Sequence, residues 1–194
     1  MRSSALLSSI ALCFFIYFCS NKQIEYSSPD HFKINETQYI IESAAFVKLT
    51  GPSFFNNLNG LIFATDGVSF SSLNDKVLSL KGKGKILGFI IYSSEKETLN
   101  EGVHFMNLRP PFSEGDIAIG LYTLDWEEDK GSVFYDENEG PSLLSGKLTV
   151  TKEGKQTSIS FKCTDEDGQL ITGVFKGDLL KNLSYNTDHI DYED

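Results

Sequence analysis

Cysteine is scarce in this sequence, and none of its three copies has an obvious partner. Cys13 lies inside a hydrophobic N-terminal run, Cys19 ends that run, and Cys163 is left alone in the body of the chain. An exported domain without an internal disulfide must be held together by its core. Nucleophile chemistry is equally thin. There is no G-x-S-x-G motif, and His31, His104 and His189 fall on an opening strand, a loop edge and an acidic tail. A Ser or Cys nucleophile needs a base within hydrogen-bond reach. Cys163 instead alternates with Ile159 and Phe161, the pattern of a small buried thiol. The Gly-rich stretches do not make a phosphate loop. KGKGK at 81–85 leads into a strand where a P-loop would open a helix, and GPSLLSGK at 140–147 has one residue too many between its glycines.

Basic residues are also in deficit: 17 Lys and Arg stand against 27 Asp and Glu, for a net charge of −10. Phosphate binding needs clustered Lys and Arg, so nucleic acid is excluded as a partner. Anionic headgroups would repel such a chain, so any membrane anchor has to be covalent.

What is present begins with that N-terminal run. Arg2 is followed by an apolar segment from Ala5 to Phe18, interrupted by Ser8 and Ser9. Crossing a bilayer takes about 20 apolar residues, and this shorter run matches the h-region of a secretory signal peptide. It ends at Cys19, before the polar stretch SNKQIEYSSPD. A lipoprotein signal is arranged in this way, with cleavage before the cysteine freeing it for a lipid anchor. Phe18 stands where such signals usually carry a small residue, so cleavage slightly downstream and an uncleaved anchor are the alternatives. On the first reading, 1–18 is signal peptide, Cys19 carries lipid, and 19–30 is a linker. Residues 31–185 then form one β domain, 186–194 form an acidic tail, and the outer membrane holds the protein through its lipid. Cleavage would remove Arg2 and no acid, taking the charge from −10 to −11.

No long segment has helical period. HFKINETQYIIESAAFVKL reads as a strand, a turn at 35–37, and a long strand with Tyr39, Ile41, Ser43, Ala45, Val47 and Leu49 on one face. GPSFFNNLNG reads as a loop, and LIFAT, VSF, KVLSL and GSVFYDE as short strands. In KILGFIIYSS, Leu87, Phe89 and Ile91 oppose Ile86, Ile90 and Tyr92; in GDIAIGLYTLDW, Ile117, Ile119 and Leu121 oppose Ala118, Tyr122 and Leu124. Both are apolar on two faces, as strands covered on both sides are. The segment from Gly146 to Leu179 predicts a three-stranded meander, with Leu148, Val150, Ile159, Phe161, Cys163, Ile171 and Phe175 inward. Lys147, Thr149, Thr151, Ser158, Ser160 and Lys162 then face solvent, and DEDG at 165–168 supplies the turn. Many short strands and frequent turns indicate an all-β fold, an antiparallel β-sandwich, with a lipocalin-like barrel as the alternative.

The front of the domain carries F-x-I-N-x-T-x-Y (Phe32, Ile34, Asn35, Thr37, Tyr39). The back carries G-x-L-T-V…D-x-D-G-x-x-I-x-G-x-F-x-G-x-L, from Gly146, Leu148, Thr149 and Val150 to Asp165, Asp167, Gly168, Ile171, Gly173, Phe175, Gly177 and Leu179. With the signal ending in cysteine, this resembles the small lipoproteins of Bacteroidota. The resemblance covers both ends, and covers 50–140 only in strand rhythm. It implies a β-sandwich or lipocalin-like domain at the cell envelope, with no catalytic residues.

Carboxylates are the one abundant chemical resource. DWEED at 125–129 is followed by Asp136, Glu137 and Glu139. Such acids could flank a glycosidic bond about 5–10 Å apart or bind Ca²⁺ weakly, but a solvated acidic loop is the simpler reading. Trp126, near Tyr122, Phe134 and Tyr135, offers a stacking platform for a sugar beside Asp125 and Glu128. The plainer reading has Trp126 capping the edge of the core. The sequons at Asn35 and Asn182 have no role in a bacterial lipoprotein. The expectation is a non-enzymatic binding or structural accessory module with no cofactor and no metal. Its partner would be a glycan or an envelope protein, contacted by Tyr122, Asp125, Trp126 and Glu128, while the 146–179 meander serves as scaffold. A carrier of a small apolar ligand and a carboxylate hydrolase are the rivals.

Overall fold

A computed structural model describes residues 30–50, 57–73, 76–93, 99–128, 133–134 and 141–186. The predicted signal peptide, Cys19, the linker up to residue 29 and the tail from 187 lie outside the described residues, as do Asp129, Tyr135, Asp136, Glu137 and Glu139. The described chain is all-β: β1 (His31–Ile34), β2 (Thr37–Thr50), β3 (Leu58–Thr65), β4 (Val68–Leu73), β5 (Val77–Tyr92), β6 (Gly102–Phe105), β7 (Ile117–Glu127), β8 (Leu143–Glu153), β9 (Gln156–Asp165), β10 (Leu170–Gly177) and β11 (Leu180–Asn186).

The strands hydrogen-bond in the order β11-β5-β3-β2-β1-β10-β9-β8-β6, with β4 and β7 also paired to β5. Pairing is antiparallel except that β11 runs parallel to β2 and β5, so the sheet is mixed and not purely antiparallel as expected. β2 joins the two halves, pairing with β1 through Ile40 and with β3 from Ile41 onward. The turn between β1 and β2 is set by Asn35, at φ 53°, a conformation Asn tolerates better than most residues. Its side-chain oxygen accepts the Leu170 N–H, and its amide donates to Gln169, tying this hairpin to the next turn.

Two apolar cores result. The inner one lies where the halves face each other, and its centre is aromatic. Phe63 meets Phe161 at 5.6 Å and Phe175 at 5.8 Å between ring centroids, and Phe89 meets Phe161 at 5.4 Å. The meander enters it as its alternation predicts, with Leu148, Val150, Ile159, Phe161, Cys163, Ile171 and Phe175 all inward. The second core arises because pairings run β5–β3–β2–β11 and back to β5, so this half curls around its own interior. Ala45, Val47, Ile62, Ile86 and Ile90 fill it.

The division of β5 between the cores follows the sequence pattern: Leu87, Phe89 and Ile91 point to the inner core, and Ile86, Ile90 and Tyr92 to the other. Its extent does not, since KVLSL and KILGFIIY form one strand through KGKGK. Gly82, at φ 99°, lies where an added Cβ would sit 2.1 Å from the Gly67 carbonyl oxygen, so only glycine allows β4 and β5 to approach there. β3 begins at Leu58, inside the predicted loop, because all eight of its residues are buried. Val133 and Phe134, expected in a strand, form a turn.

The face assigned to β2 needs correction. Ile41 and Ser43 pair with Thr65 and Ala64, so Glu42 is an extra residue, a β-bulge. Past a bulge every side chain changes face. Ile41, Ala44 and Phe46 therefore reach the inner core, and Ala45, Val47 and Leu49 the second one. β7 carries two such interruptions, one beside Ile117 and one between Thr123 and Trp126. Ile117 and Tyr122 consequently face the inner core, whereas Ala118, Ile119, Leu121 and Trp126 face the second.

Candidate functional site

The four predicted contact residues do not share a surface. Tyr122 is buried in the inner core, where its hydroxyl donates to Asp165 Oδ2 at 2.8 Å. Burial, and then the hydrogen bond to that carboxylate, push its ionisation well above the usual tyrosine range. Trp126 is four residues away, and unbroken alternation would leave it on the same face. The bulge before it turns it to the opposite side, where it is 4% exposed, the outcome foreseen by the plainer reading. Its Nε1 is buried without a hydrogen-bond partner. Asp125 and Glu128 are exposed, and Glu128 accepts the Gly82 N–H at 3.3 Å. Phe134 is 3% exposed and covers Gly60 and Gly88, where an added Cβ would sit 2.9 and 2.7 Å from its ring. It packs edge-on to Tyr185 at 6.0 Å, and the Val133 N–H donates to the Tyr185 hydroxyl. The aromatics of this region close the second core.

The DEDG turn does more than reverse the chain. Asp165 is 2% exposed, and besides Tyr122 it accepts the N–H groups of Asp167 and Gln169 through Oδ1. Three donors therefore satisfy a buried carboxylate and fasten the meander to β7. The sequence signal for this, an Asp in phase with Phe161 and Cys163, reads equally as turn chemistry. His104 is buried in β6 and not at a loop edge, with Nδ1 2.8 Å from the Gly115 carbonyl and Nε2 2.9 Å from that of Asn100. Both nitrogens are occupied by the backbone, so it serves as a tie between segments. Cys163 is 1% exposed, and burial pushes its thiol up to about 11. Among the described residues, no three His, Cys, Asp or Glu side chains converge as a metal ion would require. No described helix is long and apolar enough to cross a membrane.

The outer face of the meander offers a different kind of site. A groove of about 620 Å³ is lined by Thr149, Thr151, Ser158, Ser160, Val174 and Lys176, with Asp30 and Gln156 also on its wall. Strand register explains this lining. Thr149, Ser160, Val174 and His31 are successive cross-strand partners on β8, β9, β10 and β1, and all point away from the inner core. Thr151, Ser158 and Lys176 form the next row. Two residues along each strand in the other direction lies a third row of Phe105, Lys147, Lys162, Thr172 and Lys33.

That third row carries most of the positive charge of the face. Among the described residues, Lys33, Lys147 and Lys162 have no ion-pair partner. Lys176 pairs with Glu153 at 3.1 Å, an exposed contact that contributes little. Lys147 and Lys162 are direct cross-strand partners, and like charges so placed destabilise a sheet. Phe105 ends the row with its side chain in solvent, 59% exposed. The solvent-facing assignment of this stretch was legible in its alternation, but the assembly of its hydroxyls and lysines into rows depends on register. No family model, curated protein or solved structure matches this chain.

Proposed function

We propose that the protein is a non-enzymatic binding module of the cell envelope, held to the outer membrane by lipid on Cys19. Its ligand is taken on the outer face of β8, β9 and β10. The observation that carries this reading is the hydroxyl-lined groove beside three lysines that have no ion-pair partner among the described residues. Thr and Ser side chains both donate and accept hydrogen bonds, which suits a ligand rich in hydroxyl groups, such as an envelope glycan. The rival classes find less support. A carrier needs an enclosed void, and the space between the two halves is filled by Phe63, Phe89, Phe161 and Phe175 in mutual contact. A hydrolase built on Asp125 and Glu128 needs a cleft between them, and Glu128 is engaged with the backbone of β5.

Two measurements test this. Ser160→Trp, at an exposed position on the groove floor, should leave the melting temperature unchanged and remove binding on a glycan array of the full-length protein in detergent. Undiminished binding by that variant would move the ligand elsewhere. For the anchor, intact mass and detergent partitioning should show lipid on the wild type and none on Cys19→Ala. A wild type that is unmodified and stays in the aqueous phase would end that part of the reading.

A further inference from the structure

The outer face of the meander differs in charge from the molecule that carries it. The whole chain bears 27 acids against 17 basic residues, yet Lys33, Lys147, Lys162 and Lys176 stand on this one surface. Acidic side chains gather at its ends: Glu166 and Asp167 at one turn and Glu153 at the opposite one, with Asp30 on the groove wall, where it accepts the Lys176 N–H. Between those ends, the strands contribute lysine and hydroxyl side chains to the outside. Setting Lys147 directly across from Lys162 works against the stability of the sheet. An anion lying over the row would reverse that sign.

We infer that the groove binds an acidic polysaccharide, a polymer of uronic acid or sulfated sugar units, laid across the strands. This rests on the binding-module reading above and adds the ligand class. Three features of the face select a polysaccharide. First, neighbouring strands are about 4.8 Å apart, so charges on successive strands repeat at close to the length of one sugar unit. Lys147 and Lys162 occupy adjacent strands, and Lys33 follows two strands further on. Second, the row of Thr149, Ser160 and Val174 runs alongside the lysines, placing hydroxyls and one apolar contact under the sugar rings while the ammonium groups reach its carboxylates or sulfates. Third, the surface is concave. A bilayer is flat and would leave the groove floor unfilled, and the acid surplus of the rest of the chain opposes approach to anionic lipid. A polysaccharide chain enters a groove without bringing the acidic remainder of the protein against a charged plane. Phe105, exposed at the β6 end of the lysine row, gives a further sugar ring an aromatic face.

The test uses the full-length protein in detergent micelles. Polygalacturonate, alginate and hyaluronate serve as acidic polymers, methyl-esterified polygalacturonate as a neutral polymer of the same backbone, and vesicles with and without phosphatidylglycerol as a lipid control. At least one acidic polymer should bind, with affinity that falls steeply as salt rises, while the esterified polymer binds at least tenfold more weakly. Lys147→Gln with Lys162→Gln should reduce acidic-polymer binding at least tenfold and flatten the salt dependence, with the thermal midpoint slightly raised as the like-charge pair is relieved. Lys81→Gln, on β5 in the other half, should change neither. Equal binding of esterified and acidic polymer, abolished by Ser160→Trp, would overturn the acidic class and leave the groove reading standing. Acidic-polymer binding indifferent to both the lysine pair and Ser160→Trp would overturn the two together. No binding to any acidic polymer, or lysine-dependent binding to phosphatidylglycerol vesicles alone, would overturn the polysaccharide.

Discussion

The meander of β8, β9 and β10 and the strands β2 and β7 use the same alternation of apolar and polar residues, yet they obey it over different lengths. From Gly146 to Gly177 the register is continuous, and each inward side chain reaches the inner core in sequence phase. In β2 and β7 an extra residue interrupts the pairing, and the phase reverses at Glu42 and again ahead of Trp126. A strand facing one core needs only one phase. Two cores alone do not demand a phase change, since β3 and β5 serve both in unbroken alternation. β2 and β7 change phase because at each interruption they carry one more residue than the partner strand supplies. Among the described residues, three of the four buried polar side-chain atoms without a hydrogen-bond partner lie beside these interruptions, Ser43 Oγ, Thr123 Oγ1 and Trp126 Nε1, and the fourth, Thr157 Oγ1, is on β9 of the meander.

The sharpest way to break this comparison is to delete a residue from the regular part of β2. Deleting Ala45 would place Phe46 in the second core and Val47 in the inner one, whereas deleting Glu42 keeps Ile41 opposite Thr65 and Ser43 opposite Ala64 and leaves every face as it is. The Ala45 deletion is expected not to fold, read as loss of the β signal in circular dichroism, and the Glu42 deletion to fold. An insertion of one residue beside Gly154, whose Cβ direction is open, should cost less than about 1 kcal/mol, since hairpin tips tolerate added length. A folded Ala45 deletion would show that pairing register does not set these faces.

Trp126 gives the next largest effect. Trp126→Ala is expected to lower stability by about 3–5 kcal/mol in urea titration, as for other buried aromatics. Trp126→Phe should come close to neutral. It removes the unpaired Nε1–H, whose burial costs about 1–3 kcal/mol, and this offsets part of the lost packing. A fully stable Trp126→Ala would return this side chain to the surface.

Alkaline pH separates the cores by chemistry. Tyr122 and Cys163 both lie in the inner core, and both ionise later in the folded chain than in the unfolded one. The Cys163 contribution is fully present below its unfolded value, near 9, and is lost as pH rises toward about 11, while that of Tyr122 is lost at still higher pH. For Cys163 the interval corresponds to about 2–3 kcal/mol. Unfolding free energy measured from pH 8 to 11 should therefore fall, and Cys163→Ala should fall less steeply by about 1.4 kcal/mol per pH unit at most. Equal slopes in the two proteins would place the thiol in contact with water.

The smallest expected effect has the opposite sign. Lys162→Glu replaces a like-charge pair with an opposite-charge one, and should raise stability by about 0.2–1 kcal/mol. The same change should remove acidic-polymer binding. Gain of stability with loss of binding is the signature of a surface arranged for a ligand, and a destabilised variant would show that Lys147 and Lys162 do not repel.

Much of this was written in the chain itself. The all-β class, the meander and its inward residues, the buried solitary thiol and the two faces of 86–92 all follow from period-two alternation and turn chemistry, which are local. Tertiary structure decided the rest. That Trp126 and Tyr122 lie on opposite faces depends on one extra residue in the pairing of β7 with β5, between Thr123 and Trp126. That Asp165 holds Tyr122 depends on side chains 43 positions apart. That Lys33, Lys147 and Lys162 share a row depends on the register of four strands. Alternation tells each strand which side chains turn outward, while register, set by cooperative pairing and by burial of both cores, determines which of them become neighbours.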